Sequence, residues 1–144
     1  MKYKEIISAA AGTVAAVLSK LFGGFDGTLT TLLIFMAADY VSGIMLAAVF
    51  KKSTKSKNGA LESRAGFKGL VRKSITLLVV MLAFRLDEVT GQNFIADGVM
   101  IAFITNEAIS ITENAALMGI PMPKVLTRAI DVLKNAQETE SDGR

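Results

Sequence analysis

Cysteine, histidine and tryptophan are absent from these 144 residues, and proline occurs only at Pro121 and Pro123. Without Cys there are no disulfides and no thiolate metal ligands, and without His no imidazole ligands. Cys–His and Ser–His nucleophilic machinery is excluded with them. The spacing of the carboxylates suggests no metal site built from acids alone, so no catalytic residue, metal or cofactor is expected. The missing cysteine fits any compartment and therefore locates nothing.

Charge is missing from long stretches too. The chain is 51% hydrophobic, and its mean hydropathy of +0.46 lies above the range of ordinary soluble domains. Thr28 to Phe50 carries one charge, Asp39, at its centre. About 20 mostly apolar residues cross a bilayer as a helix. A carboxylate at the midplane of such a span costs about 2.5–3.5 kcal/mol on insertion scales, so it is rare and usually functional.

The net charge of +3 hides an asymmetry. Residues 51–73 hold Lys51, Lys52, Lys55, Lys57, Arg64, Lys68, Arg72 and Lys73 against Glu62 alone, a local +7 that leaves −4 for the remainder. A basic block can bind nucleic acid. This one lies between apolar runs and lacks interleaved aromatics besides Phe67. It reads instead as a positive-inside topology signal that also meets anionic headgroups, with no nucleic-acid partner.

The organisation expected is a single all-α membrane domain over residues 1–144. Residues 1–22 form an N-terminal membrane-associated helix. Its Ser8, Gly12 and Ala16 make a small-residue face, and whether it spans or lies on the surface stays open. A glycine-rich turn follows at 23–27. Transmembrane helices are expected at 28–50, 69–86 and 94–118. A basic cytoplasmic loop, 51–68, joins the first two, and a turn at 86–93 joins the last two. The apolar stretch Ile75 to Phe84 is short and needs Lys68, Arg72, Lys73 and Arg85 to snorkel at its ends. Gly119, Pro121 and Pro123 stop the last span. Residues 124–137 read as an amphipathic cytoplasmic helix, and 138–144 as a frayed tail. With loop 51–68 inside, the turns lie outside and the C-terminus inside; three or four spans satisfy the charges.

The informative residues are polar groups within the spans. Asp39, Ser42 and Gly43 lie on the first. Asn106, Glu107, Ser110, Glu113 and Asn114 lie on the last, most of them at helical spacing. Lys73 and Arg85 are placed at span ends, so no basic residue is expected at the depth of the acids. The carboxyls then either carry protons or face water in a cavity. A purely structural role, polar side chains gluing helices together, is at least as good for any one residue. The stripe as a whole is too polar for three or four helices to bury. It calls for self-association and for an oligomer able to open a pore.

These features occur in a familiar order. Asp39-Tyr40-Val41-Ser42-Gly43 resembles the Asp-aromatic-x-x-Gly of the first main span in the toxin-secretion/phage-lysis holin family. Residues 63–73, with Gly69, Leu70 and Lys73, resemble its loop ending in Gly-Leu/Ile-x-x-Lys. Asn106-Glu107-x-x-Ser110-x-x-Glu113-Asn114, then Gly119-x-Pro121-x-Pro123, is similar to its most specific signature. The resemblance covers residues 22–135. It implies a multi-pass protein of the bacterial cytoplasmic membrane that self-assembles and opens holes for a cell-wall hydrolase (an endolysin) or a toxin. Membrane lipids, further copies of itself and an antiholin are the implied partners, and the family carries no catalytic residues. Two other readings compete with it: an antiholin-type regulator, and a small ion-conducting or transport subunit.

Overall fold

The computed structural model describes residues 2–142, with side chains from Lys2 to Thr139. The remainder, Met1 and 143–144 at the end of the expected tail, lies outside the described residues. Five α-helices make up the described chain, with no strand among the described residues: α1 (Lys2–Leu21), α2 (Gly27–Met45), α3 (Ser63–Thr90), α4 (Ile95–Leu117) and α5 (Lys124–Asp142).

Local chemistry sets the helix ends. Asp26 caps α2, its carboxylate accepting from the Leu29 backbone N–H at 2.8 Å, which satisfies one of the donors left open at a helix start. At its other end α2 widens into a π-helical turn, Leu46–Phe50, closed by Lys51 in the left-handed conformation at φ 52°. The connection 51–62 then folds on itself. Ser53 donates to the Gly59 carbonyl at 3.0 Å. Gly59 has φ +77°, and a Cβ there would lie 2.2 Å from the Lys51 carbonyl oxygen, so this position accepts only glycine.

Helix α3 is longer at both ends than the expected span 69–86. It begins at Ser63, so the loop is shorter than the expected 51–68, and Arg64 and Lys68 are helical. It also runs through Leu86–Thr90, where a turn was expected, and stops at Gly91, φ 69°. Asp87 and Glu88 suggest a turn only if their charges need solvent. Instead Asp87 turns inward, and Glu88 pairs with Arg85 one turn earlier. The first residue of this stretch suited to the left-handed C-cap is Gly91.

Helices α2 and α4 run parallel and pack most extensively on each other, with α3 antiparallel to both. Their shared core is Leu29, Leu32 and Met36 of α2, Val80 and Ala83 of α3, and Ala96 and Met100 of α4. All seven lie at the end of the bundle away from loop 51–62. The outward faces stay apolar: Ile34, Val41, Val49, Leu78 and Leu82 are all exposed. Residues Gly27–Phe50 and Ile95–Leu117 are long and apolar enough to cross a membrane, yet only 28% and 17% of their most apolar stretches are buried within the chain. A core helix of a soluble protein would hide far more of itself.

Helix α1 buries no residue and meets α3 only near its C-terminal end. Helix α5 doubles back along α4 rather than standing apart. Ile130 is buried, and the Gln137 side-chain amide donates to the Ile101 carbonyl at 3.4 Å. It also continues through Asp142, so residues 138–142 of the expected tail are helical. Of the apolar face read from the sequence, Ile130 is buried and Leu133 half-buried, whereas Leu126, Ala129 and Ala136 stay exposed. Because the chain has no native cysteine, Ile101→Cys with Gln137→Cys gives a clean test. A short bis-maleimide should join the two within one chain, seen as a shift in electrophoretic mobility, whereas Ile101→Cys with Lys124→Cys should stay unlinked.

Candidate functional site

The half of the bundle nearer loop 51–62 is built around polar side chains. Lys73 Nζ donates to Asp39 Oδ2 at 2.8 Å and to Glu107 Oε2 at 2.6 Å. The three side chains are only 16%, 7% and 14% exposed. The other Asp39 oxygen, Oδ1, accepts from Asn114 Nδ2 at 3.3 Å. Asn114 Nδ2 also donates to Ser42 Oγ at 2.9 Å, and Ser42 Oγ donates to the Asp39 carbonyl at 3.0 Å. One ammonium group and one carboxamide thus tie α2, α3 and α4 together.

This overturns the expectation that no basic residue reaches the depth of the acids. The error lies in where α3 begins. Starting at Ser63, the helix carries Lys73 ten residues inward, about 15 Å at 1.5 Å per residue. That places it level with the midpoints of α2 and α4 instead of at a span end. Charges taken out of water are costly, and close pairing with further hydrogen bonds offsets that cost.

The eight polar positions singled out on α2 and α4 divide. Asp39, Ser42, Glu107 and Asn114 meet directly. Gly43 stands beside them, where an added Cβ would lie 3.8 Å from Asn114 Nδ2. Ser110 is half-buried on the face of α4 that carries Glu107 and Asn114. Asn106 and Glu113 do not join, and both are exposed. Seven residues make almost two helical turns, so 107 and 114 share one stripe and 106 and 113 another, about 100° away. Glu113 instead lines a groove between α4 and α5, with Thr112, Asp131 and Lys134.

Two residues carry structure that the sequence reading did not assign. Asp87 accepts from the backbone N–H groups of Ile95 at 3.0 Å and Ala96 at 2.9 Å. It caps α4 from the end of the preceding helix, in place of a local N-cap. Tyr40 packs on Gly66 and Gly69 of α3, its ring carbons 3.6 Å from where a Gly69 Cβ would stand. Neither contact has a short-range spacing signal.

Above the Asp39–Lys73–Glu107 trio a cleft of about 440 Å³ opens between loop 51–62 and α3, lined by Thr54, Lys55, Lys68, Arg72 and Thr76 as well as the trio. The basic positions are thus distributed over a loop (Lys51, Lys52, Lys55 and Lys57) and one long helix (Arg64, Lys68, Arg72 and Lys73). Among the described residues no group of three or more His, Cys, Asp or Glu is arranged to hold a metal.

A small all-helical protein with two lipid-compatible helices and an ionic cluster at their mid-height is of membrane type. Residues 16–135 match the bacteriophage holin family, and the chain belongs to that family. It is 34% identical over 117 residues to a probable holin of Bacillus phage phi105, an alignment covering 79% of this chain and 81% of that one. It is 35% identical over 128 residues to the uncharacterized protein Lin0175 of Listeria innocua, covering 87% and 86%. An uncharacterized 14.9 kDa protein encoded 3′ of nagH in Clostridium perfringens is 34% identical over 125 residues, covering 85% and 89%. No solved structure matches the chain.

Removing Lys73 leaves two carboxylates facing each other without their cation. Lys73→Met should lower stability by about 3–5 kcal/mol, the usual cost of breaking a buried ion pair from one side, read from unfolding in mixed detergent micelles. Adding Asp39→Asn and Glu107→Gln to Lys73→Met should recover most of the loss. Asp87→Ala should cost about 0.5–2 kcal/mol, the range for a lost helix cap, with faster amide exchange confined to Ile95 and Ala96.

Proposed function

We propose that this protein is a holin. It accumulates in the bacterial cytoplasmic membrane as a multi-pass helical protein and self-assembles into holes that release a cell-wall hydrolase or a toxin. In this reading α2, α3 and α4 span the bilayer, α1 adds a fourth span or lies on the surface, and loop 51–62 and the start of α5 face the cytoplasm. Family membership supports the role, and so does the likeness to the probable phage holin.

The observation that carries the mechanism is the Asp39–Lys73–Glu107–Asn114 cluster inside a bundle whose outer faces are apolar. Within one chain Lys73 binds both carboxylates, so a single copy rests in lipid with its acids held together inside the bundle. The second polar stripe, Asn106 and Glu113, is not used by the cluster. In the unassembled protein the Glu113 end of it borders the groove between α4 and α5 and stays exposed. Copies that meet along α4 would turn this stripe toward one another and then toward water, as the lining of a hole.

The test is release of reporters of graded size from vesicles or cells expressing the protein. Protein-sized cargo should escape abruptly after a delay. A flux confined to small ions would overturn the reading in favour of an ion-conducting subunit. Slowed lysis on co-expression with an independent holin would favour a regulator. Asn106→Leu with Glu113→Leu should delay release or shrink the largest cargo released while leaving membrane insertion intact. Unchanged timing and size would remove the stripe from the mechanism.

A further inference from the structure

The cleft above the ionic cluster has more positive charge than the cluster uses. Lys73 is committed to Asp39 and Glu107. None of the ion pairs among the described residues involves Lys55, Lys68 or Arg72, yet all three line the same cavity of about 440 Å³. Lys68 and Arg72 are four residues apart on α3 and so lie on one face. Lys55 approaches from the loop opposite.

A second observation points the same way. The Ser56 hydroxyl is buried and has no hydrogen-bond partner, although buried polar groups are normally satisfied. It lines a smaller cavity of about 70 Å³. The two cavities share Asp39, Lys55, Ala65, Gly69 and Lys73 in their walls. An unsatisfied hydroxyl therefore adjoins a pocket with three cations outside the ion pairs of the described residues.

We propose that this cleft is a binding site for the phosphate of an anionic phospholipid headgroup. The claim rests on the reading that α2–α4 span the bilayer, which puts the loop end of the bundle at headgroup level. Basic pockets between membrane helices on the cytoplasmic side suit such headgroups. The acids dictate where the phosphate sits. Asp39 and Glu107 at the floor would repel it, and Lys73 offsets only part of their charge. The phosphate therefore sits at the mouth, held by Lys55 and Lys68, with the long Arg72 side chain reaching up to it from the level of Lys73, and its acyl chains lie along the apolar outer faces of the helices.

The test uses the full chain purified in a neutral detergent. Thermal unfolding is followed while phosphatidylglycerol, phosphatidylcholine or inorganic phosphate is titrated in. Phosphatidylglycerol should raise Tm saturably and phosphatidylcholine should not. The triple variant Lys55→Gln, Lys68→Gln, Arg72→Gln should bind phosphatidylglycerol at least about tenfold more weakly, in line with the contribution of each near-surface cation. The charge-matched variant Lys2→Gln, Lys4→Gln, Lys124→Gln should bind as the parent does. Equal loss in both variants would reduce the effect to net charge and overturn the site. Equal stabilisation by inorganic phosphate would overturn the assignment to lipid. Reporter release from vesicles is scored separately. A triple variant that binds lipid as the parent does refutes the cleft even if holes still form, and a parent that forms no hole refutes the holin reading even if the cleft binds lipid.

Discussion

The contact on which the bundle depends is the Lys73 ammonium held between Asp39 and Glu107. Each of these groups alone would be costly to take out of water. Together they convert three costs into one interhelical clamp. The clamp reaches 34 residues in each direction along the chain, so it exists only when α2, α3 and α4 are all in place. Asn114 adds a fourth point of attachment by joining α4 to both Asp39 and Ser42.

The bundle consequently has two storeys with different physics. Away from the basic loop, aliphatic and methionine side chains fill the space between the three helices. Nearer the loop, ions and amides take over between the helices. Water entering raises the local dielectric and screens the ion pairs, a loss that apolar packing, which holds no Coulomb attraction, does not share. Any rearrangement that admits water weakens the ionic storey first and leaves the apolar one as a hinge. That asymmetry suits a protein proposed to be inert in one state and open in another.

Much of this was legible in the sequence. The long apolar runs marked α2 and α4, and Gly119 with Pro121 and Pro123 marked the boundary before α5. Asp39, Glu107 and Asn114 were recognisable because polar groups are conspicuous in an apolar run. The role of Lys73 was hidden. A lysine at the edge of a basic stretch looks like a topology signal, and only the true start of α3 gives it depth. The split between the 107/114 and 106/113 stripes was hidden as well, because both repeat with the same period and the choice depends on which face of α4 meets α2. The residues after Phe84 were misjudged because Asp87 and Glu88 look like turn formers, whereas one caps a helix and the other pairs within its own.

Asp87 has a kinetic consequence. Its carboxylate reaches donors only eight and nine residues ahead, so α3 and α4 are latched as a helical hairpin by a contact of short loop length. Closing so small a loop costs little entropy. The hairpin can form ahead of the longer-range contacts with α2, bringing Lys73 and Glu107 together first. Asp39, made earlier, would wait in α2 for that hairpin to arrive. The order of assembly then brings the cation to a carboxylate already in place.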